Sequence, residues 1–592
     1  MRRMLQVVSF LLVFIAGWGS AQASHVEPTA PLKQAAVAMP DEYSANVAQQ
    51  VLQRGGNAVD ASIAAALTLA VTYPEAGNLG GGGFMTLYFP KPKSSADAAQ
   101  PTQQAYFLDY REKAPQAAHR DLYLDANKQV IPYQSLVGYQ ASGVPGTVLG
   151  LWEAHQTFGS LPWARLVQPA IEYAEHGFVV SPELERMAQW YQNWIADKSK
   201  QPLNFKTYFG HLKAGQTFKQ PELAKTLKRL AKSGAQDFYF GETADLLVKE
   251  MQSNGGLITH QDLADYRVKW RQPIVAEWKG REIISAAPPS SGGIAIVQLL
   301  KMKALLDDEF QEALESMDKA GIPQDAVRAH FYAELAKRVY ADRAKYLGDP
   351  DFIEVPIQQL ISEAYLQRRA AEVNMDEISD SEQIQPGLGE SPDTTHFSVV
   401  DGDGNAVSNT YTLNMPFGSG VVVSGAGFLM NDEMDDFSTK PGVANVFGVV
   451  GGKANEIAPE KRMLSSMSPT ILVKDNQAEM VVGTPGGSSI ITSVFQTIVN
   501  VVDRKMPAQQ AVEATRVHHQ LLPKDLIQYH PELDTDTRQA LELMGYRLKR
   551  GNYLGDVQLI VQDDSGLQAA ADVRGRGVAK VFDLPPSASK DD

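Results

Sequence analysis

The sequence contains no cysteine, and it is poor in charge for its length of 592 residues. The absence of cysteine excludes thiol catalysis, disulfides and thiolate-bound metals. Only 21% of the residues are charged while 44% are hydrophobic, which is enough for a packed core larger than one typical domain. The formal charge of −15 argues against a nucleic-acid or anionic-membrane partner, because such partners require a basic surface.

Long apolar runs are also scarce. The strongest one, residues 5–16, follows Arg2 and Arg3 and precedes the small residues Ala21 and Ala23. It is shorter than the roughly 20 residues of a membrane-spanning helix, so a secretory signal peptide is favoured over a membrane anchor. We expect residues 1–23 to be removed, which leaves a periplasmic or secreted protein without a stable membrane span.

Hydrophobic periodicity predicts a succession of helices and strands along the chain. Helices are predicted at residues 45–53, 58–71, 152–157, 163–177, 181–194, 222–234, 294–317, 326–346 and 490–502, and strands at 84–89 and 282–286. The charged faces of the helices at 294–317 and 326–346 are interpreted as solvated surface. Residues 351–393 become polar and irregular, which is typical of a mobile tail.

The glycine run 80–83 opens the strand at 84–89. Glycine-rich runs bind phosphate in some folds, but no Lys-Ser or Lys-Thr pair follows this one. A tight turn or a close approach of two backbones is therefore the favoured interpretation.

Two threonines, Thr394 and Thr395, stand about two-thirds of the way along the chain. The alternation around them is typical of an ordinary half-buried strand. The turn 401–405 and the run 406–413 complete a predicted β-hairpin, in which Val400 would lie opposite Asn405 and Thr394 opposite residue 411 or 412. If the chain were cut before Thr394, its hydroxyl would gain an α-amino group as base, with an ordinary pKa of about 7.7–8.0.

Motifs with a recognisable order surround this hairpin. In the second half they are Thr394-Thr395-His396-Phe397-Ser398-Val399-Val400-Asp401, Thr410-Tyr411-Thr412-Leu413-Asn414, Asn431-Asp432-Glu433-Met434-Asp435-Asp436-Phe437, Arg462-Met463-Leu464-Ser465-Ser466-Met467-Ser468-Pro469 and Gly483-Thr484-Pro485-Gly486-Gly487-Ser488. In the first half they are Gly55-Gly56-Asn57-Ala58-Val59-Asp60-Ala61, Leu79-Gly80-Gly81-Gly82-Gly83-Phe84-Met85, Asp109-Tyr110-Arg111-Glu112 and Pro288-Pro289-Ser290-Ser291-Gly292-Gly293. Together they resemble the bacterial γ-glutamyltranspeptidases, over nearly the whole mature chain.

The resemblance implies a fold and a maturation step. The fold would be α+β, the four-layer αββα sandwich of N-terminal-nucleophile hydrolases, which also suits the order of helices and strands. The chain would cut itself between Asp393 and Thr394. Residues 24–393 would then form a large subunit and residues 394–592 a small catalytic subunit, joined as a heterodimer.

The resemblance also assigns the catalytic groups. Thr394 would be the nucleophile and its α-amino group the base, while Thr412 would hydrogen-bond nearby. Gly486 and Gly487 would form the oxyanion hole. They stand between a predicted strand and a predicted helix, where backbone N–H groups are unpaired, although a simple turn is the ordinary interpretation of such a segment.

The remaining matched positions would bind the substrate. Arg111, Ser465 and Ser466 would hold its α-carboxylate, because a guanidinium forms bidentate bonds with a carboxylate. Its α-ammonium would be held by Asn414, Glu433 and Asp436. Taken singly, Arg111 is more typical of a surface ion pair with Asp109 or Glu112, the serines of a loop, and the acidic run of solvated surface.

Asp436 favours γ-glutamyl over glutaryl substrates, because related cephalosporin acylases bind no ammonium and tend to lose this carboxylate. Three positions depart from the family pattern. Glu433 replaces a glutamine of some members, Phe447 replaces the hydrogen-bonding tyrosine of the lid, and Val573 replaces the proline of Asp-Pro-Arg.

No cofactor or metal is predicted. His518 and His519 have no acidic partner at ligand spacing and are interpreted as structural, and His396 is assigned no role.

The predicted activity is hydrolysis and transpeptidation of γ-glutamyl amides such as glutathione, with water, amino acids or short peptides as acceptors. A glutaryl or cephalosporin acylase and a poly-γ-glutamate-cleaving enzyme are alternatives within the same family. A non-enzymatic extracytoplasmic γ-glutamyl-binding protein is the alternative from another class.

Overall fold

The computed structural model describes residues 32–93, 103–381, 383–384, 395–440, 452–551 and 553–586. The predicted signal peptide, the end of the predicted mobile tail, the Asp393–Thr394 bond and Phe447 lie outside these residues. Within them, no helix is long and apolar enough to cross a membrane.

Most of the described strands belong to two large antiparallel sheets. The strands are β1 (Gln34–Met39), β2 (Gly82–Lys93), β3 (Gln103–Asp109), β4 (Phe178–Val179), β5 (Thr217–Phe218), β6 (Lys269–Arg271), β7 (Ile274–Trp278), β8 (Arg281–Ser285), β9 (Thr395–Val400), β10 (Ala406–Thr412), β11 (Thr470–Lys474), β12 (Gln477–Gly483), β13 (Arg516–His518), β14 (Leu526–His530), β15 (Arg547–Arg550), β16 (Gln558–Asp563), β17 (Gly566–Ala571) and β18 (Val578–Asp583). The first sheet has the order β18-β1-β9-β10-β2-β3-β6 and the second β17-β16-β12-β11-β8-β7. Strands β13 to β15 form a small third sheet, and β4 pairs with β5.

The helices cover the outer faces of the sheets and fill the connections between strands. They are α1 (Glu42–Gln53), α2 (Ala58–Thr72), α3 (Thr147–Phe158), α4 (Trp163–His176), α5 (Pro182–Lys198), α6 (Phe205–Phe209), α7 (Pro221–Ser233), α8 (Gln236–Phe240), α9 (Glu242–Ser253), α10 (His260–Asp265), α11 (Gly292–Leu305), α12 (Asp307–Lys319), α13 (Gln324–Tyr346), α14 (Ile357–Leu360), α15 (Glu363–Ala370), α16 (Ser489–Val502), α17 (Ala508–Glu513) and α18 (Thr535–Met544).

The two large sheets pack face to face between the helical layers. Val400 and Ala406 of the first sheet form a buried cluster with Ile471 and Val481 of the second. On the other face of the first sheet, the apolar residues share a core with α1 and α2. The corresponding face of the second sheet shares a core with α11, α13 and α16. The predicted four-layer αββα sandwich of the α+β class is therefore confirmed.

The predicted hairpin is formed by β9 and β10, but its register differs by one residue from the prediction. Val400 lies opposite Ala406 rather than Asn405. The reason is that the Asp401 N–H donates to the Asn405 carbonyl at 3.1 Å, so these two residues close the turn instead of extending the ladder. At the other end of the hairpin, Thr395 lies opposite Tyr411.

Two predictions about the helical region were wrong. The helix predicted at 294–317 is two helices, because α11 ends at Leu305 and α12 begins at Asp307. The charged face of α13 is not solvated, since Glu334, Lys337 and Arg338 are at most 1% exposed. These charges are tolerated inside the protein because they pair with one another. Hydrophobic periodicity shows only that a helix face is charged, and it cannot show whether that face meets water or buried partners.

The predicted mobile tail at 351–393 is partly helical where it is described. It contains α14 and α15, and the N–H of Ser379 donates to Glu334 of α13 at 3.2 Å. The rest of this segment, from residue 385 onward, lies outside the described residues.

Candidate active site

Several strand ends meet at one edge of the seven-stranded sheet. Because neighbouring strands are antiparallel, the start of β9 lies beside the end of β10, followed by the start of β2 and the end of β3. Thr395 faces Tyr411 across the first pair, and Thr412 faces Gly82 across the second. Arg111, two residues beyond β3, is thereby brought to the same edge as the start of β9.

The glycine run at the start of β2 permits close backbone packing at this edge. A Cβ atom at Gly81 would clash with the carbonyl oxygen of Thr412, and one at Gly82 would lie 2.6 Å from the Glu112 carboxyl group. The side-chain amide of Asn431 also donates to the Gly80 carbonyl at 2.8 Å. The predicted close approach is confirmed, since side chains at these positions would displace the site residues.

Arg111 lies in the interior and joins groups from distant parts of the chain. Its guanidinium lies 2.6 Å from a Glu433 oxygen, contacts Asp436, and is 3.6 Å from Glu112. It also donates to the carbonyl of Leu464 at 3.4 Å. The side chain is 1% exposed, so the surface ion pair is excluded.

The acidic run 433–436 forms a buried 3₁₀ turn instead of a solvated surface. The Asp432 N–H donates to the Leu413 carbonyl at 3.0 Å, which ties the turn to the end of β10. Burial raises the pKa of Glu433 and of Asp436, although Arg111 opposes the shift in both. Burial also raises the pKa of Glu112 to about 8 against the same opposing charge.

The cluster therefore carries more carboxyl groups than cations. A zwitterionic ligand suits this arrangement, because its ammonium can neutralise Glu433 and Asp436 while its carboxylate takes their place on the Arg111 guanidinium. Arg111, which is predicted to bind the α-carboxylate, is therefore in direct contact with Glu433 and Asp436, which are predicted to bind the α-ammonium.

Ser465 and Ser466 lie in a buried loop beside Leu464. The Ser465 carbonyl accepts from the N–H of Ser291 at 2.8 Å and from its hydroxyl at 2.7 Å. Among the described residues, the buried Ser466 hydroxyl has no hydrogen-bond partner. A hydroxyl in that state is available to a ligand, because a buried donor without a partner is costly.

Thr412 and Asn414 are joined at the end of β10. The N–H of Asn414 donates to the Thr412 hydroxyl at 2.7 Å, and its side-chain amide donates to the Asp432 carbonyl at 3.1 Å. Asn414 adopts a φ of 80°, a left-handed conformation that asparagine tolerates better than most residues. This turn links the strand edge directly to the acidic turn.

Gly486 and Gly487 lie between the end of β12 and the start of α16, as predicted from the sequence. Both have positive φ angles, 135° and 56°. Within the described part of the chain, neither N–H donates a hydrogen bond, whereas the Gly486 carbonyl accepts from the Ser489 N–H at 3.1 Å. Two unpaired N–H groups at a helix N-terminus can stabilise an oxyanion.

His396 fills the space between the two sheets near this loop. Its ring forms hydrogen bonds with Thr410 at 2.8 Å and Ser398 at 3.1 Å, and burial lowers its pKa to about 3. A Cβ atom at Gly483 would clash with the ring. His518 is also buried and bonds Thr492 at 2.9 Å.

Sequence reasoning missed one residue that shapes the site. Asn455 donates to the Asp436 carbonyl at 2.6 Å and accepts from the Leu464 N–H at 3.0 Å, so it holds the acidic turn against the serine loop. No motif contains Asn455, and only the folded chain brings it to these partners. Of the predicted site residues, Thr394 lies outside the described residues.

The chain is similar to known proteins in both sequence and structure. The family model described as Gamma-glutamyltranspeptidase matches residues 44–582. The chain is 55% identical to a glutathione hydrolase proenzyme of Pseudomonas aeruginosa, over 95% of this chain and 98% of that protein.

Two solved structures are also similar. A cephalosporin acylase from Bacillus halodurans matches with a TM-score of 0.78 and 25% identity, over 96% of this chain and 99% of that one. A γ-glutamyltranspeptidase from Pseudomonas nitroreducens, complexed with L-DON, matches with a TM-score of 0.52 and 51% identity, over 59% of this chain and 97% of that one.

Proposed function

This chain belongs to the γ-glutamyltranspeptidase family, and we propose that it transfers the γ-glutamyl group of glutathione and similar amides to water, amino acids or short peptides. The observation that carries the proposal is the contact of Arg111 with Glu433 and Asp436 at the edge where β9 begins. This cluster provides charges of both signs for the α-carboxylate and α-ammonium of a γ-glutamyl group.

Thr394 is the proposed nucleophile. The alternation of β9 supports its orientation, because Phe397 and Val399 belong to the core beneath the helices while the Ser398 hydroxyl donates to Gln558 of the second sheet at 3.2 Å. Because alternate residues of a strand point to the same face, position 394 would face the second sheet, as Ser398 does. Thr395 pairs with Tyr411, so the next pair of the same register would set position 394 opposite Thr412.

The proposed reaction proceeds through an ester. The α-amino group of Thr394 accepts the hydroxyl proton as the oxygen attacks the γ-carbonyl carbon, and the N–H groups of Gly486 and Gly487 stabilise the oxyanion. The protonated amine then gives its proton to the departing amine as the C–N bond breaks. Water or an acceptor amine attacks the ester, and the Thr394 hydroxyl is regenerated.

Substrate orientation follows from the charges of the site. Arg111 with the Ser465 and Ser466 hydroxyls would hold the α-carboxylate. Glu433, Asp436 and Asn414 would hold the α-ammonium.

A glutaryl acylase is the second candidate, favoured by the similarity to the cephalosporin acylase. The buried Asp436 carboxylate supports the γ-glutamyl substrate instead, because a glutaryl group has no cation to offset its burial.

Maturation by cleavage at Asp393–Thr394 and export by the signal peptide at residues 1–23 complete the proposal. Residues 24–393 and 394–592 would be the large and small subunits of a heterodimer in the periplasm or outside the cell.

Denaturing electrophoresis with N-terminal sequencing tests the nucleophile. Unaltered protein should give two fragments, with Thr394 first in the smaller, and Thr394→Ala should give one band without γ-glutamyl anilide turnover. Thr395→Val is the matched control, because position 395 lies on the same face of β9 as Phe397 and Val399, which belong to the core beneath the helices, and valine should therefore be tolerated without loss of cleavage. Full turnover by an unprocessed single chain would refute the mechanism.

A further inference from the structure

A second group of charged side chains lies at the active-site edge, on the opposite flank of β9 from Arg111. Strand β1 separates β9 from β18, and Met39 at the end of β1 faces Val578 at the start of β18. The segment just before β18 therefore lies at the same edge as the start of β9. At about 4.8 Å per strand, two strand spacings place it about 10 Å to the side.

Arg576 is the centre of this second cluster. Its guanidinium lies 2.7 Å from one Glu75 carboxyl oxygen and 4.1 Å from the centroid of the Tyr73 ring. The other Glu75 oxygen is buried and has no hydrogen-bond partner among the described residues, and Glu75 is 7% exposed overall. A buried carboxylate oxygen without a partner points to a donor supplied by a ligand.

The second cluster contacts both loops that frame the proposed nucleophile. The carbonyl of Glu75 accepts from the Phe417 N–H at 2.9 Å, shortly after the end of β10. On the other side, the N–H of Asp556 donates to the Thr484 hydroxyl at 2.8 Å, in the loop that carries Gly486. Asp556 is next to Arg576, because a Cβ atom at Gly575 would clash with its carboxyl group.

We propose that Arg576 binds the terminal carboxylate of the group on the far side of the scissile amide. That group is the dipeptide released from the donor and, in transpeptidation, the peptide acceptor. This inference rests on the proposed function. Glu75 orients the guanidinium, and its second oxygen accepts an N–H from the bound peptide.

The distance between Arg576 and the acyl group sets the length of acceptor that can contact both. An extended dipeptide spans about 7 Å, and a hydrogen bond of about 2.9 Å to the guanidinium brings the total to about 10 Å. This matches the two strand spacings between β9 and β18. A single amino acid is too short to reach both the acyl group and Arg576, so dipeptides bind more tightly than amino acids.

The unaltered enzyme provides the first test, with a γ-glutamyl anilide as donor. The KM for glycylglycine should be about tenfold lower than that for glycylglycinamide, because the amide lacks the carboxylate. In Arg576→Gln this tenfold preference should disappear. Arg281→Gln is the matched control, since Arg281 forms an ion pair with Glu479 on the second sheet, and the preference should persist there.

Equal KM values for the two acceptors in the unaltered enzyme would overturn the inference, and so would a preference that persists in Arg576→Gln. If that variant does not fold, the unaltered enzyme can still overturn the inference, because equal KM values exclude a cation that binds the acceptor carboxylate. Failure of the proposed function is distinguishable, because the unaltered protein would then not turn over the anilide at all.

Discussion

At the scale of single residues, the site is organised by a surplus of carboxyl groups around one guanidinium. Glu112, Glu433 and Asp436 all approach Arg111 in the interior. Burial raises the pKa of all three carboxyl groups, and the nearby Arg111 guanidinium opposes this shift without cancelling it. A ligand that brings its own ammonium would relieve this imbalance, so we expect the site to discriminate by charge.

Asp436→Asn tests this reasoning. The KM for a γ-glutamyl anilide should rise about 10- to 100-fold with little change in kcat, because a hydrogen bond to a charged group is worth about 1.5–3 kcal/mol. The turnover of a glutaryl anilide, which has no ammonium, should not fall. Steady-state kinetics with both anilides measures the difference.

Asp435→Asn is the neighbouring control. The Asp435 carboxyl accepts from the Ser135 hydroxyl at 2.5 Å, and burial raises its pKa to about 7, so a neutral amide is close to its own protonated state. The KM of the Asp435→Asn variant for the γ-glutamyl anilide should change little. A preference of the unaltered enzyme for the glutaryl anilide would contradict the assignment of Asp436.

At the scale of elements, α13 depends on a buried charge cluster. The ammonium of Lys337 lies 2.8 Å from Glu334, and the guanidinium of Arg338 lies 2.7 Å from it. Burial alone would raise the pKa of Glu334, but these two cations outweigh it and hold the pKa below its usual value. The same cations donate to the carbonyl and the hydroxyl of Ser379, which ties this residue to α13.

Glu334→Ala should destabilise the protein by about 3–5 kcal/mol, because it leaves two buried cations without their carboxylate. The loss should be largest at neutral pH. A depressed pKa contributes stability above the unfolded-state value, and this contribution disappears as the pH falls through the folded-state value. Urea denaturation at several pH values measures it.

Glu315→Ala on α12 is the control for Glu334→Ala. Its partner Lys319 lies 4.0 Å away, and both side chains are more than three-quarters exposed. The change in unfolding free energy should stay within about 0.5 kcal/mol. Equal losses in the two variants would show that burial of the Glu334 pair carries no special stability.

At the scale of the whole molecule, the two proposed subunits share both sheets. In the first sheet, β1 of residues 24–393 lies between β18 and β9 of residues 394–592, and β10 of the latter pairs with β2 of the former. In the second sheet, β11 pairs with β8 across the same boundary. Cleavage of the one proposed peptide bond would therefore leave the interleaved ladders and the common cores intact.

The cleaved fragments should stay associated in the absence of denaturant. Gel filtration in buffer should show both fragments in a single peak, at the volume of the uncut Thr394→Ala precursor, because the shared sheets form an obligate interface. In concentrated guanidinium chloride the two fragments should separate. Separate elution in plain buffer would contradict the heterodimer.

Much of this architecture was predictable from local sequence. The alternation in β9 and β10 and the turn between them predicted the hairpin, and Gly486 and Gly487 were placed between a strand and a helix. The register was wrong by one residue, because the pairing depends on which residues close the turn. The charged face of α13 was assigned to solvent, because periodicity does not distinguish water from buried partners.

The sequence by itself determined the fold class, the family and the residue types of the site, because these follow from local patterns and motif order. Only the tertiary structure decided how those residues meet. Arg111 contacts Asp436, 325 positions away, and Arg576 contacts Glu75 on the other flank of β9. Such contacts arise because antiparallel strands bring distant ends to one sheet edge, which no local pattern in the chain encodes.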